Sequence, residues 1–174
     1  MTTILGLQLE DGVILAADSQ ITYSRIYIQE NSGKITRRGD YLIAGAGDVS
    51  AGDIAQHIWQ PPKPTVADKK DVRHFVITKV IPSLRECLSA NGYRKAEKED
   101  DGWSFIIALC GQLFEIADDF SVLTDSSGYY GIGSGSPYAL GALHQGASLE
   151  QALQIADRLD PNTSTPFVYF KQSK

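Results

Sequence analysis

The chain opens MTTILGLQLEDGVILAADSQ (residues 1–20), and this stretch decides the fold. From Thr3 the run TILGLQL is strand-like, Glu10-Asp11-Gly12 is a turn, and VILAADS is a largely buried second strand, so the chain begins with a β-hairpin. Chain ends fray unless they are tied into a sheet. A first strand that starts at the third residue therefore implies that Thr2 or Thr3 has to be held in place.

Working outward, SRIYIQE continues β-like, Asn31-Ser32-Gly33 turns, KITRR resumes, and Arg38-Gly39-Asp40 leads into YLIAGAG. The apolar period then changes from two to about 3.6. Asp48 or Ser50 can cap a helix to about Trp59, the prolines of PPKP break it, and Asp68 or Asp71 opens a longer helix toward Ala90 with an irregularity at Pro82. Asn91-Gly92 is a stop signal.

The second half repeats this order. WSFIIALC, QLFEIA and SVLTD read as strands separated by Gly111 and Asp118-Asp119. After the glycine-rich 128–135 come helices near Pro137–Gln145 and Leu149–Leu159, and FVYFK closes as a strand. Strands and helices in separate blocks imply an α+β layering, in which two sheets stack with helices outside.

At 174 residues the chain is expected to form one domain, residues 1–174, with a core that needs neither disulfides nor metal. Apolar residues make up 43% and charged ones 21%, which fits a globular chain. No apolar run reaches membrane-span length and no signal-peptide pattern is present, so no membrane association and a cytoplasmic location are expected. Cys87 and Cys110 are too few for a disulfide framework, and Cys110 reads as a core thiol at the end of WSFIIALC. His57, His74 and His144 lack metal-ligand spacing and read as helix-surface or satisfied core residues. A net charge of −5 argues against nucleic acid as the main partner. The mixed-sign run RKAEKEDD at 94–101 reads as a solvated loop.

Three polar features stand where a packed sheet does not normally want them. Thr2 begins the first strand, Asp18 ends the buried second strand, and Lys34 follows a turn. A buried carboxylate needs a cationic or hydrogen-bonding partner, and Lys34 is the nearest in sequence. A threonine hydroxyl is a weak nucleophile, but an N-terminal threonine has its own α-amino group, with a reference pKa of about 7.7–8.0, to take the hydroxyl proton. Only Met1 precedes Thr2, and initiator methionine is commonly removed before a small side chain. A methionine still joined to Thr2 turns that amine into an amide, so the form carrying Met1 is expected to be inactive. Each feature also has a plain structural reading: a Met-Thr start is common, an Asp after a strand caps turns, and Gly-Lys is a usual solvated turn.

GIGSGSPYALGAL (131–143) adds a fourth feature, in which glycines let backbone approach a ligand and Ser134 or Ser136 caps the following helix. It equally reads as a strand-to-helix connection. It is not the dinucleotide fingerprint, because Ser136 occupies the last glycine position, and Gly33-Lys34-Ile35 is not a Walker loop.

The ordered set TTILGLQLEDGVILAADSQ, NSGKI, YLIAGAGD, GIGSGSPYALGAL and SLEQALQIADRLDPNT resembles the proteasome β-type subunits and the bacterial core protease HslV, members of the N-terminal-nucleophile hydrolases. The resemblance runs nearly end to end. It implies a four-layer αββα sandwich, two stacked and mainly antiparallel sheets flanked by helices. It also implies a threonine endopeptidase acting on peptides or unfolded polypeptides, assembled as a homo-oligomer of stacked rings of six or seven subunits, served by an ATP-dependent unfoldase and using no metal or organic cofactor.

By resemblance, Thr2 is the nucleophile, Asp18 and Lys34 tune and orient it, and Gly45 offers its N–H to the oxyanion. Ser134 matches the serine near the nucleophile amine. Asp160 and Thr163 of DPNT match the acidic and hydroxyl residues of the proteasomal pattern, with Thr163 where serine is usual. Ile21, Ser32, Thr36 and Ile43 align with the substrate-pocket walls and imply room for an uncharged side chain.

The chain departs from the pattern in several places. The segment after Gly45 is about one residue shorter than in proteasomes, and Gln20 stands where they carry arginine, as it does in HslV. The absence of a propeptide beyond Met1 is HslV-like, while SGSPYALGAL and DPNT lean toward the proteasome. Together these imply a bacterial-type proteasome homologue. Two rival expectations stay open: a small-molecule amidohydrolase on the same fold, and a non-catalytic ring subunit.

Overall fold

The computed structural model describes residues 2–23, 26–29, 33–93 and 102–174, with only the backbone path given for 22, 23 and 26–29. Met1, Ser32, the charged run at 94–101 and part of the turn expected at 31–33 lie outside the described residues.

The opening hairpin is present as β1 (Ile4–Leu9) and β2 (Gly12–Ala17). Strand β1 is an inner strand: Ile4 pairs with Ala17 on one side and with Ile132 of β10 (Tyr129–Ile132) on the other. With β11 (Val168–Ser173) beyond β2, these strands form an antiparallel sheet in the order β10-β1-β2-β11. A short hairpin, β3 (Gln20–Tyr23) and β4 (Ile26–Gln29), stands apart. The second sheet runs β5 (Ile35–Arg38), β6 (Tyr41–Gly47), β7 (Trp103–Leu109), β8 (Gln112–Ala117), β9 (Val122–Leu123), again antiparallel.

Both faces of each sheet are covered, which is why the strands read as nearly continuous apolar runs. Alternate residues separate into layers. Ile4, Leu15, Leu42, Ala44, Ile106 and Ala108 pack between the sheets. On the outer face of the second sheet, Tyr41, Ile43, Phe105 and Ile107 meet Trp59 and helical residues including Val76 and Leu84. On the outer face of the first, Leu5 and Ala16 meet α4 (Ser136–His144) and α5 (Leu149–Leu159). Helix, sheet, sheet, helix: the expected four-layer α+β sandwich is the observed one.

The first helical segment starts at α1 (Val49–Asp53), capped by Asp48, whose Oδ1 accepts from the N–H groups of Ser50 (2.7 Å) and Ala51 (3.2 Å). It widens into a π-type turn over Ile54–Ile58 before Trp59 and the prolines. The second opens after Asp71 with α2 (Val72–Phe75) and ends in α3 (Ile81–Ala90), with Asn91 at its C-terminal cap. Its irregularity precedes Pro82, where sequence placed it, and takes the form of a π-type turn over Val76–Val80. Proline lacks an N–H and clashes with the carbonyl four residues back, and a widened turn relieves both.

Three local expectations are corrected. The glycine-rich 128–135 contains strand β10, because Tyr130 and Ile132 bury their side chains between the sheets. SVLTD contributes only Val122–Leu123 as strand. Cys110 is half-buried at a turn with φ 51°, packed against the core from its edge.

Candidate active site

Strand pairing brings distant chain segments to one place. Because Ile4 is level with Ala17 and Ile132, residues 2 and 3 fall between the segments that follow β2 and β10. The Thr3 N–H donates to Asp18 Oδ1 (2.8 Å), and the Asp18 N–H donates to the Thr3 carbonyl (3.1 Å). From the other side, Gly133 (φ 92°) lies so close that a Cβ there would stand 2.0 Å from the Thr2 carbonyl oxygen. The buried Thr2 is thus clasped between two strand ends, which answers why β1 starts where it does.

Asp18 is 0% exposed, and both its oxygens are occupied. Oδ1 accepts from Thr3 N–H and from Lys34 Nζ (2.6 Å), and Oδ2 accepts from the N–H groups of Gln20 (3.0 Å) and Ser164 (3.3 Å). Lys34, 7% exposed, is the partner that sequence proximity indicated. Burial pushes its ammonium below the ordinary lysine value, and the Asp18 carboxylate opposes that shift without cancelling it.

A second carboxylate network lies beside the first. Asp160 Oδ2 accepts from Ser134 Oγ (2.7 Å) and Thr163 Oγ1 (2.7 Å), and Oδ1 accepts from the Asn162 backbone N–H and Nδ2 (both 3.1 Å). Burial alone raises the pKa of this carboxyl group, but the hydrogen bonds outweigh it and the net shift is downward. Thr163 spends its only proton on Asp160, so the 2.5 Å contact between Thr163 Oγ1 and Thr3 Oγ1 has Thr3 as donor. The Thr3 hydroxyl therefore ties the chain start to Asp160. Neither serine caps α4, as sequence had it: Gly135 holds the cap position, Ser136 Oγ donates to the Gly133 carbonyl (2.8 Å), and Ser134 serves Asp160.

Thr2 and Lys34 line one cleft of about 190 Å3, whose far wall is the loop after β6 and the start of the first helical segment. Ile21 and Gly45 also line it. Thr36 reaches it at one remove, donating to Oε1 of Gln56 (3.2 Å), a cleft residue. Ile43 does not reach it: alternation along β6 turns this side chain into the core under the helices, where it is fully buried. A Cβ on Gly45 would stand 2.8 Å from the Phe105 ring.

Sequence reasoning named Thr3 only as an alternative to Thr2 for the residue held in place, and missed three contributors. Gln56, on the π-type turn, is buried and donates from Nε2 to the Lys34 carbonyl (3.2 Å), a contact invisible at a separation of 22 residues. Asp53 lines the cleft from the end of α1. Gly47 (φ 98°) lines it too, and the N–H of its neighbour Asp48 donates toward β7 at the Gly102 carbonyl. By the alternation of an antiparallel ladder the Gly45 and Gly47 N–H groups point to the opposite edge of β6, and Gly47 lies past the start of β5, which pairs Ile35 with Ala44. Among the described residues, no group of three or more His, Cys, Asp or Glu is placed to hold a metal.

Comparison with known proteins bears on this geometry. The family model described as Proteasome subunit matches residues 1–57. The ATP-dependent protease subunit HslV of Thermosipho africanus (strain TCF52B) is 23% identical over 151 residues, covering 81% of this chain and 75% of the relative. The Proteasome subunit beta of Nanoarchaeum equitans (strain Kin4-M) is 44% identical over 59 residues, 33% of this chain and 29% of that one. The chain is similar to the proteasome β subunits and to HslV. The fold is matched by the structure of Thiobacillus denitrificans BPH in complex with epoxomicin, with a TM-score of 0.76, 22% identity and 98% of both chains covered. The clasped segment lies within the residues that match the Proteasome subunit model. Among the described residues, no helix is long and apolar enough to cross a membrane.

Proposed function

We propose that this chain is the catalytic subunit of a threonine-type endopeptidase in which Thr2, once it is the first residue, is the nucleophile. The observation that carries this reading is the buried 2.6 Å Lys34–Asp18 pair, whose lysine lines the same cleft as Thr2. A fixed, buried ammonium is an expensive feature for a wall, and it favours the deprotonated hydroxyl of a neighbouring nucleophile.

In the mechanism, the free α-amine of Thr2 takes the proton from Oγ1 as that oxygen attacks a peptide carbonyl. The oxyanion is met by backbone N–H at the end of β6, from Gly45 or Gly47, preorganised by the ladder with Phe105 and Trp103. The amine then protonates the leaving amine, and water, with the same base, hydrolyses the ester on Thr2. Asp18 holds Lys34 and the Thr3 N–H together. The Asp160–Ser134–Thr163 network holds the segment that ends in Gly133 and the Thr3 side chain. The reading extends to residues 1–174 acting as one domain in stacked homo-oligomeric rings of six or seven, to an ATP-driven unfoldase that delivers unfolded polypeptide, and to a cytoplasmic location. The relative named as an ATP-dependent protease subunit supports assembly from subunits and an ATP-driven partner.

The test compares peptide hydrolysis by purified wild type and Thr2→Ala, with ring assembly followed by native mass spectrometry. Expected are hydrolysis by the wild type alone and equal assembly of both. Equal hydrolysis by both proteins refutes the assignment of Thr2, and a wild type with Thr2 exposed that assembles but cleaves no peptide favours the non-catalytic ring subunit.

A further inference from the structure

Gln56 is a buried polar side chain that the chemistry described so far does not use. It stands in the π-type turn of the first helical segment beside Ile54 and Ala55, and all three are buried. A primary amide in such company is costly unless its hydrogen bonds are made. Both ends of this one reach the start of β5: Nε2 donates to the Lys34 carbonyl (3.2 Å), and Oε1 accepts from Thr36 Oγ1 (3.2 Å). Because the Thr36 hydroxyl donates to Oε1, the N–H end of the amide is the one left facing Lys34. The same Nε2 lies 3.7 Å from where a Cβ on Gly45 would stand.

Resting on the reading of this cleft as a peptidase site, we infer that Gln56 is a positioning residue, which holds the Lys34 backbone so that its ammonium is aimed at Thr2. Lys34 comes directly after Gly33 (φ 75°) and directly before Ile35, the first ladder residue of β5, so the sheet itself does not hold it. Its side chain is anchored only at the far end, by Nζ to Asp18 (2.6 Å). A flexible four-carbon stem can keep that contact from more than one backbone position, each presenting the ammonium to Thr2 from a different side. The Gln56 amide selects one of them, and it does so from the helical layer through the widened turn.

The experiment uses the assembled protein with Thr2 exposed and one fluorogenic peptide, and reads kcat, KM and the pH profile in the wild type, Gln56→Met and Thr36→Val. Methionine keeps the length of glutamine and removes both hydrogen bonds, whereas valine removes only the hydroxyl that orients the amide. In Gln56→Met kcat is expected to fall about tenfold to hundredfold at an unchanged KM, since a misplacement of roughly 1 Å costs on the order of 100-fold. Burial lowers the pKa of Lys34 against the opposing charges of Asp18 and Asp160. A lysine released from the amide gains solvent, so the alkaline limb of kcat/KM moves to higher pH. Thr36→Val shifts the limb the same way by less, and it carries the test if the methionine variant does not assemble. An alkaline limb that stays in place overturns the inference, whatever the change in kcat or melting temperature, because a merely structural amide lowers stability without altering how Lys34 titrates. Failure of the peptidase reading is a different result: the wild type with Thr2 exposed cleaves no peptide and forms no covalent adduct with an epoxyketone.

Discussion

Lys34 and Asp18 meet at 2.6 Å in the interior, and the same Asp18 oxygen accepts the N–H of Thr3. One carboxylate thus fixes both an ammonium and the backbone directly after Thr2. The two partners are unequal: Asp18 accepts four hydrogen bonds, three of them from backbone, whereas the Lys34 ammonium contributes one of those four. Asp18→Ala leaves two buried N–H groups, the half-buried Ser164 N–H and a buried cation uncompensated. Lys34→Ala leaves a carboxylate still held by backbone. In urea denaturation Asp18→Ala is expected to cost more than Lys34→Ala, which itself falls near the roughly 3 kcal/mol typical of breaking a buried pair. Lys34→Ala is expected to remain folded and lose peptidase activity by 100-fold or more, a typical scale for removing one electrostatic contributor to such a site.

The pH profile separates chemistry from stability. Activity needs a free, neutral α-amine, with a reference pKa of about 7.7–8.0, and a charged Lys34, whose pKa is lowered mainly by burial. The alkaline limb of kcat/KM therefore falls before the ordinary lysine value is reached. Stability moves the other way over that window. Between the lowered folded value and the ordinary one, the unfolded chain binds more protons at Lys34 than the folded chain does, so this contribution to stability rises with pH. Peptidase assays and thermal melts at matched pH check both signs.

Gly135→Ala tests the second network. Its Cβ would stand 2.0 Å from Thr3 Oγ1 and 2.7 Å from Thr163 Oγ1. Either the chain start or Thr163 has to move, at a cost of roughly 1–3 kcal/mol. The variant is expected to melt lower and to lose most of its activity, whereas Gly141→Ala in the same region, with nothing within 4 Å of the added carbon, is expected to match the wild type in both.

Thr163→Ser keeps the hydroxyl between Thr3 and Asp160, and Thr163→Val removes it. Activity is expected to persist in the first variant and to drop in the second. In the second variant the Asp160 carboxyl loses a donor and titrates higher, readable by carboxyl NMR.

How much of this was legible in the sequence follows from the range over which each signal acts. Period and turn residues expose strands such as β1, β2 and β6, because alternation is local. They miss β10, where Gly131 and the following Gly133 conceal that Tyr130 and Ile132 point inward. Asp18 and Lys34 stand out as charges at the ends of apolar runs, a local anomaly with one economical solution. Asp160 and Thr163 entered only through resemblance, and Ser134 otherwise only as a candidate helix cap, since their hydrogen bonds span up to 26 residues and end on a side chain 160 positions from Thr163. Ile43 was misplaced because a one-residue step along a strand reverses the face it serves. Gln56 and Asp53 depend on the π-type turn and the end of α1, which helical periodicity does not resolve.

The central claim is a free Thr2 whose amine and hydroxyl act together, and the intact mass of the purified protein before and after incubation with epoxomicin tests it most directly, since the epoxyketone closes a ring on both groups. Expected are a mass that begins at Thr2, a gain of one inhibitor per chain, and no gain in Thr2→Ala. A chain that begins at Thr2, keeps its fold and its rings, and takes up no inhibitor would contradict it.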